Sequence, residues 1–418
     1  MIMPKTAWMT LRKNLIMSFI TVLQFTIVLC FTAVMASSVW MRYQYYMPFQ
    51  DYYNAKGLYV NYSSMAYAYE GEDKPVRFMS AEDFVSELPH VKEMIGCYGA
   101  MVYSENVNQP FRLISYDDKI IKRYQPELTE GRWLSVTNDS DIVEVVISEN
   151  TYGWKVGDTI KLAAANSPSP IHFSALIVGI IPDGARVFGG DYHGQTSPSC
   201  NTMFQPYTLA VEEKPILMFS HSALKSIDTG AELLDKNLDE IMQAAQYDAF
   251  LITDDFVSDE DIIDIQQQLS QYGNVLSVPL NEVNENSKRY LLEQIRSMLP
   301  VVVILLILTA VSVISSSALA TNSRLHDYSV FYILGLQWKN CALINLFQSI
   351  IISSVATLAA TALMLIVPYS PFKNVIRVVP CSWVFLSLGV LIVLNLIISV
   401  IMPLLVLKGC TPKQILTK

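Results

Sequence analysis

The hydrophobic pattern of the chain is dominated by four long runs, Leu15 to Met41, Ser297 to Ser323, Cys341 to Val367 and Trp383 to Leu407, none of which contains Asp, Glu, Lys or Arg. The hydrocarbon core of a bilayer takes about 20 helical residues to cross, so each run is long enough for a span. A soluble core helix shows a polar stripe instead. For the first run the alternative is a cleaved signal peptide, with small residues at Val34, Met35 and Ala36. Its length argues for a span, because a signal's apolar region is roughly 7 to 15 residues. The run continues into Trp40, Tyr43, Tyr45, Tyr46, Phe49, Tyr52 and Tyr53, which reads as an interfacial aromatic belt.

Between the first and second spans lie roughly 250 residues, 42–296, enough for one large or two modest globular units. Gly57 to Tyr62 reads as a strand and Ala81 to Leu88 as an amphipathic helix capped by Ser80 with Asp83. Met94 to Tyr103 and Phe111 to Tyr116 read as strands. A second strand, helix, strand unit follows at Ala249 to Thr253, Ser258 to Leu269 and Val275 to Val278. Two such units suggest one α/β module split by an insertion. The intervening 135–210 is richer in strand signals: Glu144 to Ser148, a turn at Lys155 to Asp158, Thr159 to Leu162, and Ile171 to Ile181 closed by Pro182-Asp183-Gly184. It reads as a small β domain. Gly184 to Thr202 reads as a loop, with Gly189, Asp191, Tyr192 and His193 as exposed recognition candidates on loop position alone. Leu280 to Met298 has helical spacing without Gly or Pro and is expected to run as a stalk into the second span.

Charge refines this picture. The chain carries 38 acidic against 29 basic residues, a net charge of −9, and all the acidic residues but Asp327 fall between the first two spans. Nucleic acid binding, which needs a basic footprint, is disfavoured. Lys5, Arg12 and Lys13 precede the first span and Lys408, Lys413 and Lys418 follow the last. Lys and Arg collect on the cytoplasmic side, so both termini are expected there. The short loops, with Arg324 and Lys339 in one and Lys373 and Arg377 in the other, do not decide. Only Cys97 and Cys200 of the cysteines fall in the outer region. A disulfide between them is one alternative and two buried thiols the other, which a domain this large favours because it needs no staple.

Two stretches resemble the FtsX-like permeases of the MacB type, the membrane subunits of a class of ABC systems. One is Leu128-Thr129-Glu130-Gly131-Arg132-Trp133, then Glu144-Val145-Val146-Ile147-Ser148, Lys155-Val156-Gly157-Asp158-Thr159-Ile160 and Leu176-Ile177-Val178-Gly179-Ile180, similar to four family elements in their order. The other is the loop Arg324 to Leu336. It makes sense as an amphipathic helix with Leu325, Tyr328, Tyr332 and Leu336 on one face and Gly335 as its breaker. His326-Asp327-Tyr328 departs from the family, which more often has a Glu there. The tail around Pro412 also resembles the family's end.

The resemblance implies a four-span α-helical membrane protein with an α+β extracytoplasmic domain: a split α/β porter-like module bearing a β-rich inserted subdomain. Its organisation is then 1–14 cytoplasmic, 15–41 first span, 42–296 extracytoplasmic (β-rich insertion 135–210, stalk 280–298) and 297–323 second span. After these come 324–340 coupling loop, 341–367 third span, 368–382 outer loop, 383–407 fourth span and 408–418 tail. It further implies a multi-pass subunit of the bacterial cell membrane that transmits the ATP-driven movement of a separate cytoplasmic ATPase. The implied outcomes are export, antimicrobial-peptide resistance or mechanotransmission. Arg324, Leu325, Asp327, Tyr328, Tyr332, Gly335 and Leu336 would couple to the ATPase. Further implied partners are a second copy or a similar permease, membrane lipid, and an extracytoplasmic peptide, lipoprotein or hydrolase. The alternative is a membrane-anchored receptor or cell-wall-hydrolase regulator acting without transport.

The chain has no G-x-x-x-x-G-K-[ST], G-x-S-x-G or H-E-x-x-H, so no enzyme activity, cofactor or metal is expected in it, and ATP would be bound by the partner. Asp191 with His193, and His172 and His221, read as solvated or structural groups rather than metal ligands. Asn61-Tyr62-Ser63 and Asn138-Asp139-Ser140 match the glycosylation pattern, a frequent false positive. Ionisable groups inside spans would mark a conduit. Here the polar residues are Gln24, Asn345, Gln348, Asn395 and Ser and Thr runs, which suit helix packing.

Overall fold

The structure, a computed structural model, describes residues 7–9, 11–12, 15–63, 67–68, 77–78, 88–105, 107, 109–136, 143–164, 171–189, 197–208, 214–227, 246–270, 275–322, 338–367, 379 and 381–408. In chain order, α1 (Leu15–Tyr46) leads through a 3-10 turn at Met47–Phe49 to α2 (Gln50–Tyr53) and β1 (Gly57–Ser63). Pro48, which lacks an N–H to continue the helix, lies in that turn. Then come the minimal pair β2 (Tyr67–Ala68) and β3 (Arg77–Phe78), the long β4 (Val91–Ser104), β5 (Gln109–Tyr116), α3 (Asp118–Arg123) and β6 (Glu130–Gly131). β7 (Val143–Ser148), β8 (Thr159–Ala164), β9 (Ile171–Ile181) and β10 (Arg186–Phe188) follow, then α4 (Cys200–Met203), β11 (Phe204–Pro206), β12 (Leu217–Ser220) and α5 (His221–Lys225). The chain continues through β13 (Gln246–Thr253), α6 (Asp259–Ser270), β14 (Val275–Pro279), α7 (Leu280–Asn322), α8 (Trp338–Ile366) and α9 (Ser382–Lys408). It divides into two compact units, Gln44–Tyr290 and Met1–Tyr43 with Leu291–Lys418.

In the first unit a 10-stranded sheet runs β14-β1-β13-β4-β5-β12-β7-β9-β6, with β8 bridging β4 and β9. That bridge closes a circuit. β4 pairs β5, β5 pairs β12, β12 pairs β7, β7 pairs β9, β9 pairs β8, and β8 returns to β4. Six strands thus form a small barrel, and closure removes their exposed edges. β4 makes this geometry because it changes partner along its length. Its Val91 to Gly99 pairs β13, and its Val102 to Ser104 pairs β8. Alternate residues of all six strands, including Val102, Phe111, Val145, Leu162, Phe173 and Phe219, fall in one buried apolar cluster, as the two-residue period of strands requires.

The barrel corrects the expectation of a separate small β domain at 135–210. Its β-rich run is there, but it shares a sheet and core with β4, β5 and β12, whose apolar faces it completes. The flanking α/β part is as expected, with β1 between β13 and β14 and α6 packed over β1 and β14 through Ile262, Ile265 and Leu269. Ser258 Oγ accepts from the Asp261 backbone N–H at 3.2 Å and donates to the Asp261 carboxylate at 2.7 Å, closing the first turn of α6. The helix expected over Ala81 to Leu88 lies outside the described residues except for Leu88.

The motif glycines have a packing reason. Gly131 and Gly179 lie opposite each other where β6 meets β9. A Cβ on Gly131 would lie 2.2 Å from the Val178 carbonyl oxygen, and one on Gly179 would lie 2.3 Å from that of Arg132. The next residue, Arg132, forks onto Glu144, with Nη1 to Oε2 at 3.0 Å, and Ser135 Oγ donates to the same carboxylate at 2.9 Å. Burial pushes the Glu144 carboxyl up, but the hydrogen bonds from Arg132 and Ser135 outweigh it and leave it below its ordinary range.

Among the described residues four helical stretches are long and apolar enough to cross a membrane, Leu15–Tyr53, Leu280–Ser315, Leu343–Ile366 and Ser382–Ile401, of which the first two extend from the second unit into the first. Leu358, Leu365 and Phe385 are largely exposed, as side chains facing lipid would be. Phe25, Val28 and Leu29 of α1 pack on Ala356 and Ala360 of α8 and Leu391 of α9. Small residues permit that close approach. Asn395 Nδ2 donates to Ser353 Oγ at 3.0 Å between α9 and α8.

Candidate functional site

The aromatic run after the first span is not an interfacial belt at its far end. Tyr46, Phe49, Tyr52 and Tyr53 are buried, and Phe49 is fully so. Phe49 packs against Phe188, Phe204 and Phe250 at ring centroid distances of 4.7, 5.7 and 5.4 Å. Burying aromatic surface outweighs any gain at a bilayer interface, so these rings form a second core on the sheet unit. They also bring the end of the first spanning stretch to the start of α7.

That meeting point is a polar junction inside an aromatic setting. Asn284, on the second turn of α7, is buried and bonds in two directions: its Oδ1 accepts from Tyr46 Oη at 2.9 Å, and its Nδ2 donates to Asn54 Oδ1 at 2.8 Å. One turn on, fully buried Ser287 donates to the Val283 carbonyl at 2.7 Å, and its Oγ accepts from the Cys200 backbone N–H at 2.8 Å. Asn286 Nδ2 donates to the Pro198 carbonyl at 3.3 Å. The turn at 198–203 is therefore bonded to the stalk helix, while Tyr53 Oη donates to Met203 Sδ at 3.5 Å from the other side.

The segment carrying that turn is itself strapped to the sheet unit. β10 and β11 pair antiparallel. Tyr116 and Tyr124 hydroxyls donate to the Phe188 and Arg186 carbonyls, each at 2.8 Å, and Tyr207 donates to the Lys214 carbonyl at 2.6 Å. Arg186 Nη1 donates to Asn201 Oδ1 at 2.6 Å, and its guanidinium lies 5.5 Å from the centre of the Tyr45 ring. Burial pushes the Cys200 thiol up to about 11 against the opposing pull of Ser287 and Arg186.

This segment was expected to be an exposed loop. Gly189 is instead buried with a φ of +81°, and a Cβ there would sit 2.1 Å from Cys97 Sγ. Asp191, Tyr192 and His193 lie outside the described residues, as do Asn138 and the coupling candidates Arg324, Leu325, Asp327, Tyr328, Tyr332, Gly335 and Leu336. Cys97 and Cys200 are buried free thiols. Burial first, and the nearby Asp248 carboxylate second, hold the Cys97 thiol well above its ordinary range. His172 pairs with Glu105 at the surface, and His221 stacks on Tyr98 at 5.0 Å. Asn61 is buried and donates to Asp248, which leaves its amide nitrogen facing the interior rather than available for glycosylation. Among the described residues no three His, Cys, Asp or Glu are grouped to hold a metal.

What the described residues form here is a set of hydrogen bonds that joins the end of the first helical stretch, the start of α7 and one turn of the sheet unit. Tyr46, Asn284 and Ser287 were missed as site residues. Their signal in the sequence was polar residues at 284 and 287 on the stripe that Leu280 and Val283 mark as inward-facing.

No family model matches the chain, and no curated protein matches it. Solved structures with a likeness to it include a domain of a permease candidate from Porphyromonas gingivalis, at 16% identity, covering 56% of this chain and 92% of that one with a TM-score of 0.24. Another is the extracellular domain of the noncanonic ABC-type transporter YknZ from Gram-positive bacteria, at 9% identity, 53% and 99% coverage and a TM-score of 0.27.

Proposed function

We propose that this chain is the permease-type membrane subunit of a MacB/FtsX-type ABC complex. In this reading it carries movement from a separate cytoplasmic ATPase to the sheet unit outside the membrane. The observation that carries the reading is the junction. The stretch Leu15–Tyr53 ends, and the stretch Leu280–Ser315 begins, in side chains bonded to each other and to one strapped turn. A displacement of either helix end is felt by the other and by the sheet. The two stretches are 39 and 36 residues long, more than the roughly 20 a bilayer takes, which leaves helix to project beyond the hydrocarbon. The uncharged spans, whose polar groups serve helix contacts such as Asn395 to Ser353, support a lever rather than a conduit.

Both termini lie in the cytoplasm, and the loop Arg324 to Leu336 is where the ATPase docks, with Leu325, Tyr328 and Tyr332 as apolar anchors. ATP is bound and hydrolysed by that partner. The complex contains two permease chains, identical or similar, in a bacterial cytoplasmic membrane. The stroke acts on a substrate already outside: a peptide to be expelled, a lipoprotein, or a hydrolase to be regulated.

The test is recovery of the ATPase. The intact chain extracted from its native membrane should bring down an ABC ATPase. Replacing Leu325, Tyr328 and Tyr332 together with Asp should abolish this while hydrogen exchange of β4 and β13 stays unchanged. Undiminished recovery with the triple variant removes the docking role. A chain that brings down no ATPase at all favours the receptor or hydrolase-regulator alternative.

A further inference from the structure

We propose that the turn at 198–203 is a releasable latch, which holds the ends of the two membrane-linked helical stretches together at rest and opens as a local unit. The proposal rests on the relay reading above only for what pulls on it. The first ground is the kind of bond used. Asn284, Asn286 and the Ser287 hydroxyl are joined by hydrogen bonds to Tyr46, Asn54, Pro198, Cys200 and, within α7, Val283. Hydrogen bonds exchange for bonds to water on opening, to which the exposure of the buried Cys200 and Met203 side chains of the same short turn adds a cost.

The second ground is how the latch is mounted. α4 is a single turn of four residues, closed by Ser199 N–H donating to Thr202 Oγ1 at 2.8 Å and by the Thr202 and Met203 N–H groups donating to the Ser199 carbonyl at 3.0 and 3.1 Å. It makes no strand ladder of its own. On its C-terminal side β11 is held through β10, whose Phe188 and Arg186 carbonyls are fastened by Tyr116 and Tyr124. The turn can thus leave α7 while its base stays on the sheet. Arg186, bonded to Asn201 and lying over Tyr45, ties the same turn to the end of α1.

Third, the seal is asymmetric along α7. Leu280, Val283, Asn284 and Ser287 are buried, whereas Lys288 and Arg289 are exposed. The contacts therefore act on the first two turns alone, so tilting α7 loads them before it loads the sheet.

The experiment is hydrogen exchange of the intact chain in nanodiscs, with no ATPase present. In the wild type, amides at Cys200, Thr202 and Met203 are expected to exchange together, well ahead of those in β4 and β13. Asn286→Ala and Ser287→Ala, which remove the bonds from α7 to Pro198 and Cys200, should each speed the 200–203 amides by roughly two- to tenfold, the worth of one such bond, and leave β4 and β13 unchanged. Protection of 200–203 equal to that of β4 and β13 in the wild type overturns the latch, because the turn then opens only with the whole unit. So do variants that leave 200–203 unaltered, or that speed all strands alike. Because no ATPase enters the measurement, a failed latch leaves the relay reading to the recovery test.

Discussion

Replacing Gly189 by Ala probes whether the glycine-rich segment belongs to the core. The position has a φ of +81°, where an L side chain costs roughly 1–2 kcal/mol. The added Cβ would also lie 2.1 Å from Cys97 Sγ, an overlap worth about 1–3 kcal/mol in a packed interior. Together the substitution should cost about 2–5 kcal/mol. Only the second part depends on the sulfur. Without Sγ, the nearest remaining atoms are Cys97 Cβ at 3.6 Å and Asp248 Oδ2 at 3.8 Å, both ordinary contacts. Cys97→Ala alone removes one buried sulfur and should cost about 1–2 kcal/mol. The double variant should therefore be more stable than the sum of the singles predicts, by about 1–3 kcal/mol. Hydrogen exchange of the β4 and β13 amides in the intact chain reports this, since about 1.4 kcal/mol of opening free energy changes protection tenfold. Additivity within about 0.5 kcal/mol would refute the packing of Gly189 on Cys97.

Three further outcomes follow from other contacts. Gly179→Ala should cost at least about 2 kcal/mol, because its Cβ meets the Arg132 carbonyl and backbone cannot step aside as a side chain can; thermal unfolding of the intact chain in detergent checks it. Arg132→Ala should destabilise by about 1–2 kcal/mol at neutral pH. Glu144 titrates lower folded than unfolded, so its contribution is complete above the unfolded value of about 4.3 and is lost as pH falls through the folded one. The variant's deficit should accordingly shrink in acid, and a deficit unchanged by acid would count against the pair. Cys97, buried in β4 with its thiol held well above the ordinary range, should resist maleimide at neutral pH until the chain is unfolded, as intact-mass measurement would show.

Much of the fold was legible because it is locally encoded. Ile171 to Ile181 is a β-branched run with the period of a strand, and α6 shows its i, i+3, i+7 apolar stripe at Ile262, Ile265 and Leu269. The four uncharged runs are legible because the bilayer imposes a length. Closure of the barrel was not, since it depends on β4 changing partner beyond Gly99, a long-range choice with no local mark. The aromatic run 43–53 misled for a related reason. Tyr and Phe serve equally at a membrane interface and in a core, and only the contacts of Phe49 with Phe188, Phe204 and Phe250 separate the two. Gly189 read as loop because its neighbours in sequence are polar and glycine-rich. The two apolar residues before it, Val187 and Phe188, were the available sign of a buried hairpin. The junction was half legible: a stalk helix was expected, but the partners of Asn284 and Ser287 lie about 90 to 240 residues away in sequence and no spacing announces them.

The central claim, that ATP-driven movement passes through the junction, is tested most directly by a distance. Gln44, on α1, and Lys288, on α7, are both exposed and flank the buried contacts. Spin labels at these two positions, in the chain reconstituted with the ATPase recovered alongside it, report the separation by pulsed electron resonance. The distribution should shift between the nucleotide-free complex and the complex trapped with a non-hydrolysable ATP analogue. A distribution that stays the same while the complex binds and turns over ATP would contradict the relay.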